Sequence, residues 1–275
     1  MVNIKKTTQS VSNASKLIKP IFQRFFYPKG YEKCLIIMGC QRSGTTIISR
    51  VFDRILYAKV FGEFSILSID DPNRIRLNNI NNVIAQVQKS HSPLIVLKPL
   101  VESHKANLLL SQIQNACVLW VFRHYLDVGL SDIKKFSKNP GHSNLLPIIN
   151  KDKNNWRCEN ISHKTTSIIN SLYSKDLSPL DCACLFWYVR NILFFEQSLD
   201  TNSKVFLWDY DKFVQDPSQH IKDLLTKMSL PTVPKKITQD VFINTINRNQ
   251  KINSNIKELC DDLFDRLSLH TKSLK

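Results

Sequence analysis

Short continuous apolar runs alternate with amphipathic stripes along this chain of 275 residues. Three of the runs, at 34–38, 94–97 and 117–122, are typical of strands that are buried on both faces. Between 46 and 56 the apolar residues recur at helical spacing, which predicts a helix that packs against a sheet. Strands that alternate with helices predict an α/β fold, here a three-layer sandwich with a central parallel sheet.

The second half of the chain continues this pattern. A short strand is predicted at 204–208. Helices are predicted at 179–199, 221–228 and 256–269. With a hydrophobic content of 43%, the length suits one large domain at 34–275, preceded by a basic N-terminal arm at 1–33.

One region departs from the pattern. From about 137 to 177 the chain is polar and rich in asparagine, and Pro140 and Pro147 are expected to break regular structure there. We interpret this region as an insertion or lid beside a binding site, with an ordinary surface excursion as the alternative.

A glycine-bounded loop follows the first apolar run directly. Gly39 and Gly44 enclose four residues, and a helix is predicted to begin after Gly44. Such a turn points backbone N–H groups and the positive end of a helix dipole into a concavity that suits phosphate or sulfate. The spacing is that of a Walker A loop, but Thr45 occupies the lysine position and Arg42 is the only cation in the loop. The loop therefore predicts a nucleotide-type anion and disfavours NTP hydrolysis, with a tight turn that binds no ligand as the alternative.

The net charge of +15 predicts anionic partners, because a basic surface concentrates such ligands around the protein. The basic residues are dispersed among acidic ones. The sequence contains no zinc-finger spacing, no RNP-like aromatic motif and no basic-region heptad run. We therefore expect no nucleic-acid partner.

The cysteines and the lengths of the apolar stretches indicate the cellular compartment of the protein. Seven cysteines without a C-x-x-C pair, four of them in apolar runs, predict reduced and mostly buried thiols rather than disulfides or a metal site. No apolar stretch approaches the roughly 18–20 residues that span a bilayer. The N-terminus also lacks an apolar signal core, so we expect a cytoplasmic protein. The mixed patch at 17–26 is interpreted as packing against the domain, with peripheral membrane contact as the alternative.

An arginine and a serine follow the third apolar run. Arg123 directly ends this run, and Ser131 comes eight residues later. A guanidinium can donate two hydrogen bonds to phosphate oxygens, and a hydroxyl supplies a further donor. Taken alone, an arginine at a strand end is more typical of a surface ion pair.

Together, the loop and the Arg123/Ser131 pair resemble the family of sulfotransferases that use 3′-phosphoadenosine 5′-phosphosulfate (PAPS). The resemblance runs from about Cys34 to Leu269, and it is specific only at the loop and at this pair. It implies that Arg123 and Ser131 bind the 3′-phosphate of PAPS. It also implies that the 5′-phosphosulfate is bound by loop residues, namely Arg42, Ser43, Gly44, Thr45 and Thr46.

The resemblance further implies three catalytic residues. Lys98 ends the run at 94–97, where the family often has a lysine that faces the transferring group. A cation there, together with Arg42, would stabilise the charge that develops on the leaving phosphate. Glu63 lies twenty-one residues after Arg42, and tyrosylprotein and heparan-type sulfotransferases have their general base at a similar distance. Glu63 is therefore the candidate that removes the proton of the acceptor, with a carboxylate paired to Lys59 or to the N-terminus of a following helix as the alternative.

The identity of the base stays open between three residues. Cytosolic small-molecule sulfotransferases have a histidine two residues after the strand-end lysine, and this chain has Leu100 there. Leu100 cannot act as a base. Glu102 and His104, just beyond it, are the reserve candidates beside Glu63.

Two later segments extend the resemblance. Tyr210 begins a stretch, ending at Pro217, that is similar to a family segment whose tyrosine lies near the adenine. Arg248 occupies the region where many members have a basic loop that touches the 3′-phosphate. The glycine-rich pattern of that loop is absent from this chain.

These features favour one function and leave two alternatives. The preferred function is transfer of a sulfuryl group from PAPS, as co-substrate and without a metal, to an acceptor hydroxyl or amine by in-line displacement. The acceptor class stays unknown, and its pocket is expected from 64–82 and 137–177. The alternatives are a nucleotide or small-molecule kinase with a degenerate phosphate loop, and a non-catalytic anion-binding module.

Overall fold

A five-stranded sheet lies at the centre of the protein in the computed structural model, which describes residues 19–21, 23–25, 30–136, 140–242 and 248–273. Its strands are β1 (Lys33–Gly39), β2 (Ala58–Phe61), β3 (Leu94–Leu97), β4 (Ala116–Phe122) and β5 (Val205–Asp209). They lie in the order β2-β3-β1-β4-β5, and every pair is parallel. The predicted α/β fold with a central parallel sheet is thus confirmed.

Helices connect the strands and cover both faces of the sheet. They are α1 (Thr45–Asp53), α2 (Ile80–Gln88), α3 (Ala106–Gln112), α4 (Tyr125–Lys135), α5 (Pro140–Ile149), α6 (His163–Leu172), α7 (Pro179–Glu196), α8 (Tyr210–Phe213), α9 (Pro217–Lys227) and α10 (Ser254–Ser273). Two short 3-10 turns, Glu102–Lys105 and Trp156–Cys158, lie near the sheet end that carries the loop.

The central strand β1 shows why the sheet has a helical layer on each side. Its side chains alternate between the two faces, and all of them from Cys34 onward are buried. Ile36 and Met38 pack into a core that includes Trp187 of α7. Leu35 and Ile37 pack into a separate core on the other face, built from residues of α1, α8 and α9. The chain therefore forms the three layers that its apolar runs predict.

Strand β2 was not predicted from the sequence. It has four residues and carries Lys59 at a half-buried position, so it shows neither a continuous apolar run nor a clear alternation. Pairing with β3, from Ala58 opposite Leu94 to Phe61 opposite Leu97, makes it a strand at the edge of the sheet.

The asparagine-rich region is more regular than its composition indicates. Helices α5 and α6 occupy much of it, and the expectation that Pro140 and Pro147 break regular structure is wrong. Proline is tolerated at the start of a helix because the first N–H groups have no intrahelical partner. Pro147 lies inside α5. Contact with α7 stabilises α5 all the same, since a Cβ atom at Gly141 would lie only 2.7 Å from Cβ of Cys182.

The described part of the N-terminal arm packs beside β2. Lys19 Nζ donates to the carbonyl oxygen of Asp53 at 2.6 Å. Gln23 Nε2 donates to the carbonyl oxygens of Leu56 and Ala58 at 2.8 and 2.9 Å. Most of the predicted arm, at 1–33, lies outside the described residues.

The cysteines lie mostly in the interior, and the described helices are short or carry charged residues. All seven cysteines are free and six are buried, as predicted for reduced thiols. Among the described residues, no helix combines the length and the apolar character needed to cross a membrane.

Candidate active site

A tight loop joins β1 to α1 and depends on its two glycines. Gly39 has a φ of 139°, and a Cβ atom there would lie 2.1 Å from the carbonyl oxygen of Val121. Gly44 has a φ of 93°, and its Cβ atom would lie 2.1 Å from the ring of Tyr210. Because both positions combine a left-handed backbone with a close neighbour, only glycine fits them without strain.

The loop leads into the N-terminus of α1, which has the features of an anion site. Gly44 is the N-cap residue, and it provides no side chain to cap the helix. The first backbone N–H groups of α1 thus stay available to a ligand. The Ser43 hydroxyl and the Gln41 side-chain oxygen are buried without a hydrogen-bond partner in the described part of the chain. Buried polar atoms normally have partners, so these two favour a bound group at the loop.

The residues predicted to bind the 3′-phosphate lie next to this loop. Arg123 follows the last residue of β4, and Ser131 lies on α4. Strand β4 pairs with β1 up to Val121 opposite Gly39, so the two sites begin at neighbouring strand ends. Arg42 Nε donates to Ser131 Oγ at 3.1 Å, which joins the loop to the second site directly.

Arg123 is nine-tenths buried at this position, and its charge is only loosely compensated. Its Nε atom lies 3.4 Å from Asp127 Oδ2 and 3.6 Å from Asp211 Oδ1. Neither contact is a hydrogen bond, and Nε has no other partner among the described residues. The Tyr210 ring, centred 5.0 Å from the guanidinium carbon, covers one side of the group. Tyr210 thereby packs against both Gly44 and Arg123.

Arg248 reaches the same two carboxylates from a distant part of the chain. Its guanidinium donates to Asp127 Oδ2 at 2.7 Å and also to Asp211. The hydrogen bond to Asp127, supported by Asp211, holds the pKa of Arg248 above its usual range despite partial burial. The structure thus gathers Arg123, Tyr210 and Arg248 around one acidic pair.

Lys98 and Glu63 meet at the ends of two neighbouring strands. The Lys98 N–H donates to the Phe61 carbonyl oxygen at 2.9 Å, which continues the β2–β3 pairing beyond the strands. The Lys98 ammonium, with a side chain only 4% exposed, forms an ion pair with the Glu63 carboxylate. Burial, with Arg42 as a second cause, lowers the pKa of Lys98 to about 7. The Glu63 carboxylate opposes this shift because it favours the charged ammonium.

Similarity to solved structures then identifies the architecture. The structure of sulfotransferase STF9 from Mycobacterium avium is similar with a TM-score of 0.52 and 14% identity, over 87% of this chain and 77% of that one. The chain has the sulfotransferase fold. A sulfotransferase from Alicyclobacillus acidocaldarius has a TM-score of 0.48 at 14% identity, over 87% of this chain and 94% of that one. Mouse sulfotransferase SULT7A1, complexed with PAP, has a TM-score of 0.46 at 10% identity, over 90% of this chain and 88% of that one. No family model and no curated protein matches the sequence.

The reserve candidates for the base, Glu102 and His104, are held by other side chains of this sulfotransferase fold. Glu102 is buried and accepts hydrogen bonds from Arg76 Nε at 2.7 Å and from the Leu77 N–H at 3.1 Å. His104 Nε2 lies 2.7 Å from Glu159, and burial is the main cause that lowers the pKa of His104 to about 4. Both side chains are therefore engaged in a buried ionic network.

Ser103, between these two, was not singled out from the sequence. Its hydroxyl donates to the Gly39 carbonyl oxygen at 3.0 Å and accepts from the Gly39 N–H at 3.3 Å. It thus fixes the first residue of the loop to the 3-10 turn at Glu102–Lys105. A lone serine gives no sequence signal for such a contact, because the two residues are far apart in the chain.

A cavity of about 340 Å³ opens beside the loop of this sulfotransferase fold. It is lined by residues from the loop, the segment after β3, α4 and its end, the asparagine-rich region and α7, namely Cys40, Gln41, Leu100, Val128, Asp132, Phe136, Ser143, Asn144, Arg157, Ala183 and Phe186. The region at 137–177 thus contributes to it. The stretch at 64–82 instead lines a much smaller cavity of about 10 Å³ next to Glu63 and Lys98.

Proposed function

We propose that the protein is a sulfotransferase that uses PAPS and sulfonates an acceptor hydroxyl or, as a second option, an amine. The observation that carries the proposal is the contact of two anion-binding sites, the loop with the N-terminus of α1 and the Arg123/Ser131 pair, through the Arg42–Ser131 hydrogen bond. PAPS carries a 5′-phosphosulfate and a 3′-phosphate, so it needs two such sites. ATP has no 3′-phosphate and would leave the second site without a ligand.

The binding roles follow from the positions of the side chains. The N–H groups at the start of α1, with the hydroxyls of Ser43, Thr45 and Thr46, hold the 5′-phosphate. Arg123 and Ser131 hold the 3′-phosphate by charge-assisted hydrogen bonds. Tyr210 lies between the two sites and offers an aromatic face to the adenosine.

The transfer itself is an in-line displacement at sulfur. The acceptor oxygen forms a bond to sulfur while the bond from sulfur to the bridging oxygen breaks, and the electron pair of that bond goes to the leaving adenosine 3′,5′-bisphosphate. Glu63 takes the acceptor proton, and for this its carboxylate turns from Lys98 toward the acceptor. Lys98 and Arg42 stabilise the charge on the leaving phosphate.

A direct test incubates the protein with PAPS labelled with ³⁵S and a panel of hydroxyl and amine compounds. The proposal expects label in at least one product, together with release of adenosine 3′,5′-bisphosphate, in the presence of EDTA. If γ-labelled ATP with Mg²⁺ modifies a member of the panel and labelled PAPS does not, the protein is a kinase with a degenerate phosphate loop instead.

A further inference from the structure

Asp132 presents a buried carboxylate to the cavity of about 340 Å³ beside the loop. It follows Ser131 on α4, and the residue is only 9% exposed. Within the described ranges, its carboxylate oxygens have no hydrogen bond and no ion pair. Because its carboxylate is open to the cavity, a molecule bound there can supply the hydrogen bonds that the protein does not.

The cavity adjoins the proposed phosphosulfate site. Cys40 and Gln41, which begin the loop, form part of its wall, and the buried Gln41 side-chain oxygen has no partner in the described part of the chain. A molecule in this cavity therefore touches the loop that holds the phosphosulfate. Its volume, about 340 Å³, is at the lower end of the range for small-molecule sites, roughly 300–1,000 Å³.

Charged groups around Asp132 restrict the kind of molecule that fits. Arg42 of the loop and Arg157 of the 3-10 turn both act on the carboxylate, and the Cys40 thiol faces the same cavity. Helices α5 and α7 contribute Ser143, Asn144, Ala183 and Phe186, which do not titrate. Of these two arginines only Arg157 lines the cavity, so its described wall carries one positive charge and the negative charge of Asp132, which favours a neutral ligand over a charged one.

The rest of the wall restricts the ligand further. The lining combines apolar side chains, Leu100, Val128 and Phe186, with polar ones, Asp132 and Asn144. A wholly apolar ligand would leave the polar groups buried without partners, which is unfavourable. A hydroxyl group can donate to a carboxylate and accept from an amide or guanidinium. A neutral molecule with an apolar body and hydroxyl groups satisfies both parts of the wall.

We propose that this cavity binds the acceptor, that Asp132 accepts a hydrogen bond from a neutral hydroxyl of it, and that the acceptor is a small neutral molecule with an apolar body. The proposal rests on the proposed sulfotransferase function, since it identifies the acceptor half of that site. Asp132 acts here as an acceptor-binding residue, distinct from Glu63, which takes the proton. Leu100, two residues after Lys98, lines both this cavity and the smaller one beside Glu63, so the two cavities adjoin at that residue.

The test uses three probes that share a naphthalene body and differ only in the charge of the head group. They are 2-naphthalenemethanol, 2-naphthylmethylammonium and 2-naphthoate. Calorimetric titration is carried out on the protein with and without saturating adenosine 3′,5′-bisphosphate. We expect the neutral alcohol to bind at least ~10-fold more tightly than either charged probe, and Asp132→Asn to weaken its binding by ~10-fold or more. The same change at an exposed position on α10, Asp265→Asn, should leave binding unaltered.

The stability of the variant separates binding from a structural role. Burial raises the pKa of Asp132, so its charged form is disfavoured in the folded protein and destabilises it above the ordinary carboxyl pKa. Asp132→Asn should therefore raise the melting temperature at pH 7 by a few degrees while it weakens binding of the alcohol. A structural carboxylate would give a lower melting temperature.

Four outcomes overturn the proposal, and none of them depends on the nucleotide. They are tightest binding of a charged probe, equal binding of the alcohol by wild type and Asp132→Asn, a lower melting temperature of this variant, and no binding of any probe. Failure of the bisphosphate to bind would contradict the sulfotransferase function instead. Probe binding without the bisphosphate would still report on the cavity.

Discussion

At the scale of single residues, the pairing of Glu63 with Lys98 is the feature with the strongest chemical consequence. The two residues are 35 positions apart, and they meet because β2 pairs with β3. In the proposed mechanism, this one ion pair would provide both a cation for the leaving group and a base for the acceptor. Each partner can be tested by a substitution that changes its charge or its pKa.

Glu63→Gln should lower the sulfotransfer rate while leaving nucleotide binding intact. An amide cannot take the acceptor proton, and loss of a general base typically costs ~10²–10⁴-fold in rate. The measurement is transfer of ³⁵S from PAPS, beside a titration with adenosine 3′,5′-bisphosphate. Glu258→Gln, an exposed position on α10, is the matched control. A transfer rate equal to wild type would remove Glu63 from the mechanism.

The pH dependence of the rate should report on Lys98. Burial and Arg42 lower its pKa to about 7, and the protonated form stabilises the leaving phosphate. As the pH rises through that value the ammonium loses its proton, so kcat/KM, which reports the free enzyme, should fall above about pH 7. Lys98→Arg keeps its charge at every accessible pH, and the alkaline fall should disappear in that variant. An alkaline limb that is the same in both proteins would assign the titration to another group.

At the scale of elements, the loop between β1 and α1 was predictable from local patterns, and several elements around it were not. The continuous run of β1, the glycine spacing and the helical stripe of α1 are all local signals. By contrast, β2 is stabilised as a strand by pairing with β3, and α5 by packing on α7. Asp132 carries no signal either, because a single carboxylate on a helix is ordinary until the cavity around it is known. Tertiary contacts stabilise β2 and α5, whose local sequences have only a weak preference for a strand or a helix.

Gly44→Ala should disrupt the loop. The new Cβ atom would stand 2.1 Å from the Tyr210 ring on a backbone with a φ of 93°, so either the loop or the ring must move. We expect a loss of about 1–3 kcal/mol in the free energy of unfolding, measured by denaturant titration, together with lost binding of adenosine 3′,5′-bisphosphate. Gly62→Ala is the control, since nothing lies within 4 Å of its Cβ position and its backbone is ordinary. Equal stability of the two variants would contradict the strain argument.

A substitution at Arg248 tests whether the C-terminal segment belongs to the proposed 3′-phosphate site. Arg248→Ala leaves Asp127 and Asp211 without their main cation. Both carboxylates then attract the Arg123 guanidinium more strongly and compete with the 3′-phosphate for it. Binding of adenosine 3′,5′-bisphosphate should weaken by ~10-fold, while binding of adenosine 5′-phosphate should change little.

The control for this change is Arg266→Ala on α10, whose ion pair with Asp262 is loose at 3.8 Å. Calorimetric titration of both variants with both nucleotides gives the comparison. An equal loss of affinity for the two nucleotides would mean that Arg248 supports the fold around the site and not the 3′-phosphate.

At the scale of the whole molecule, the parallel sheet brings the separate sites together. The carboxyl ends of parallel strands lie at one edge of the sheet, and ligands of open α/β sheets bind there. β1 leads to the loop, β2 to Glu63, β3 to Lys98 and β4 to Arg123. The net charge of +15 favours anionic ligands in general. The place that Arg123 and Ser131 offer to a 3′-phosphate, next to the loop, is the reason to propose PAPS and not a nucleoside triphosphate.

The most direct test of the PAPS site is thermal unfolding with adenosine 3′,5′-bisphosphate and no Mg²⁺. A ligand that binds only the folded protein stabilises it by about 2.7 kcal/mol at a hundredfold excess over Kd, which is a shift of several degrees for a protein of this size. We predict a clear rise in the melting temperature with the bisphosphate, and a smaller one with adenosine 5′-phosphate or with ATP and Mg²⁺. A larger rise with ATP and Mg²⁺ than with the bisphosphate would contradict the account.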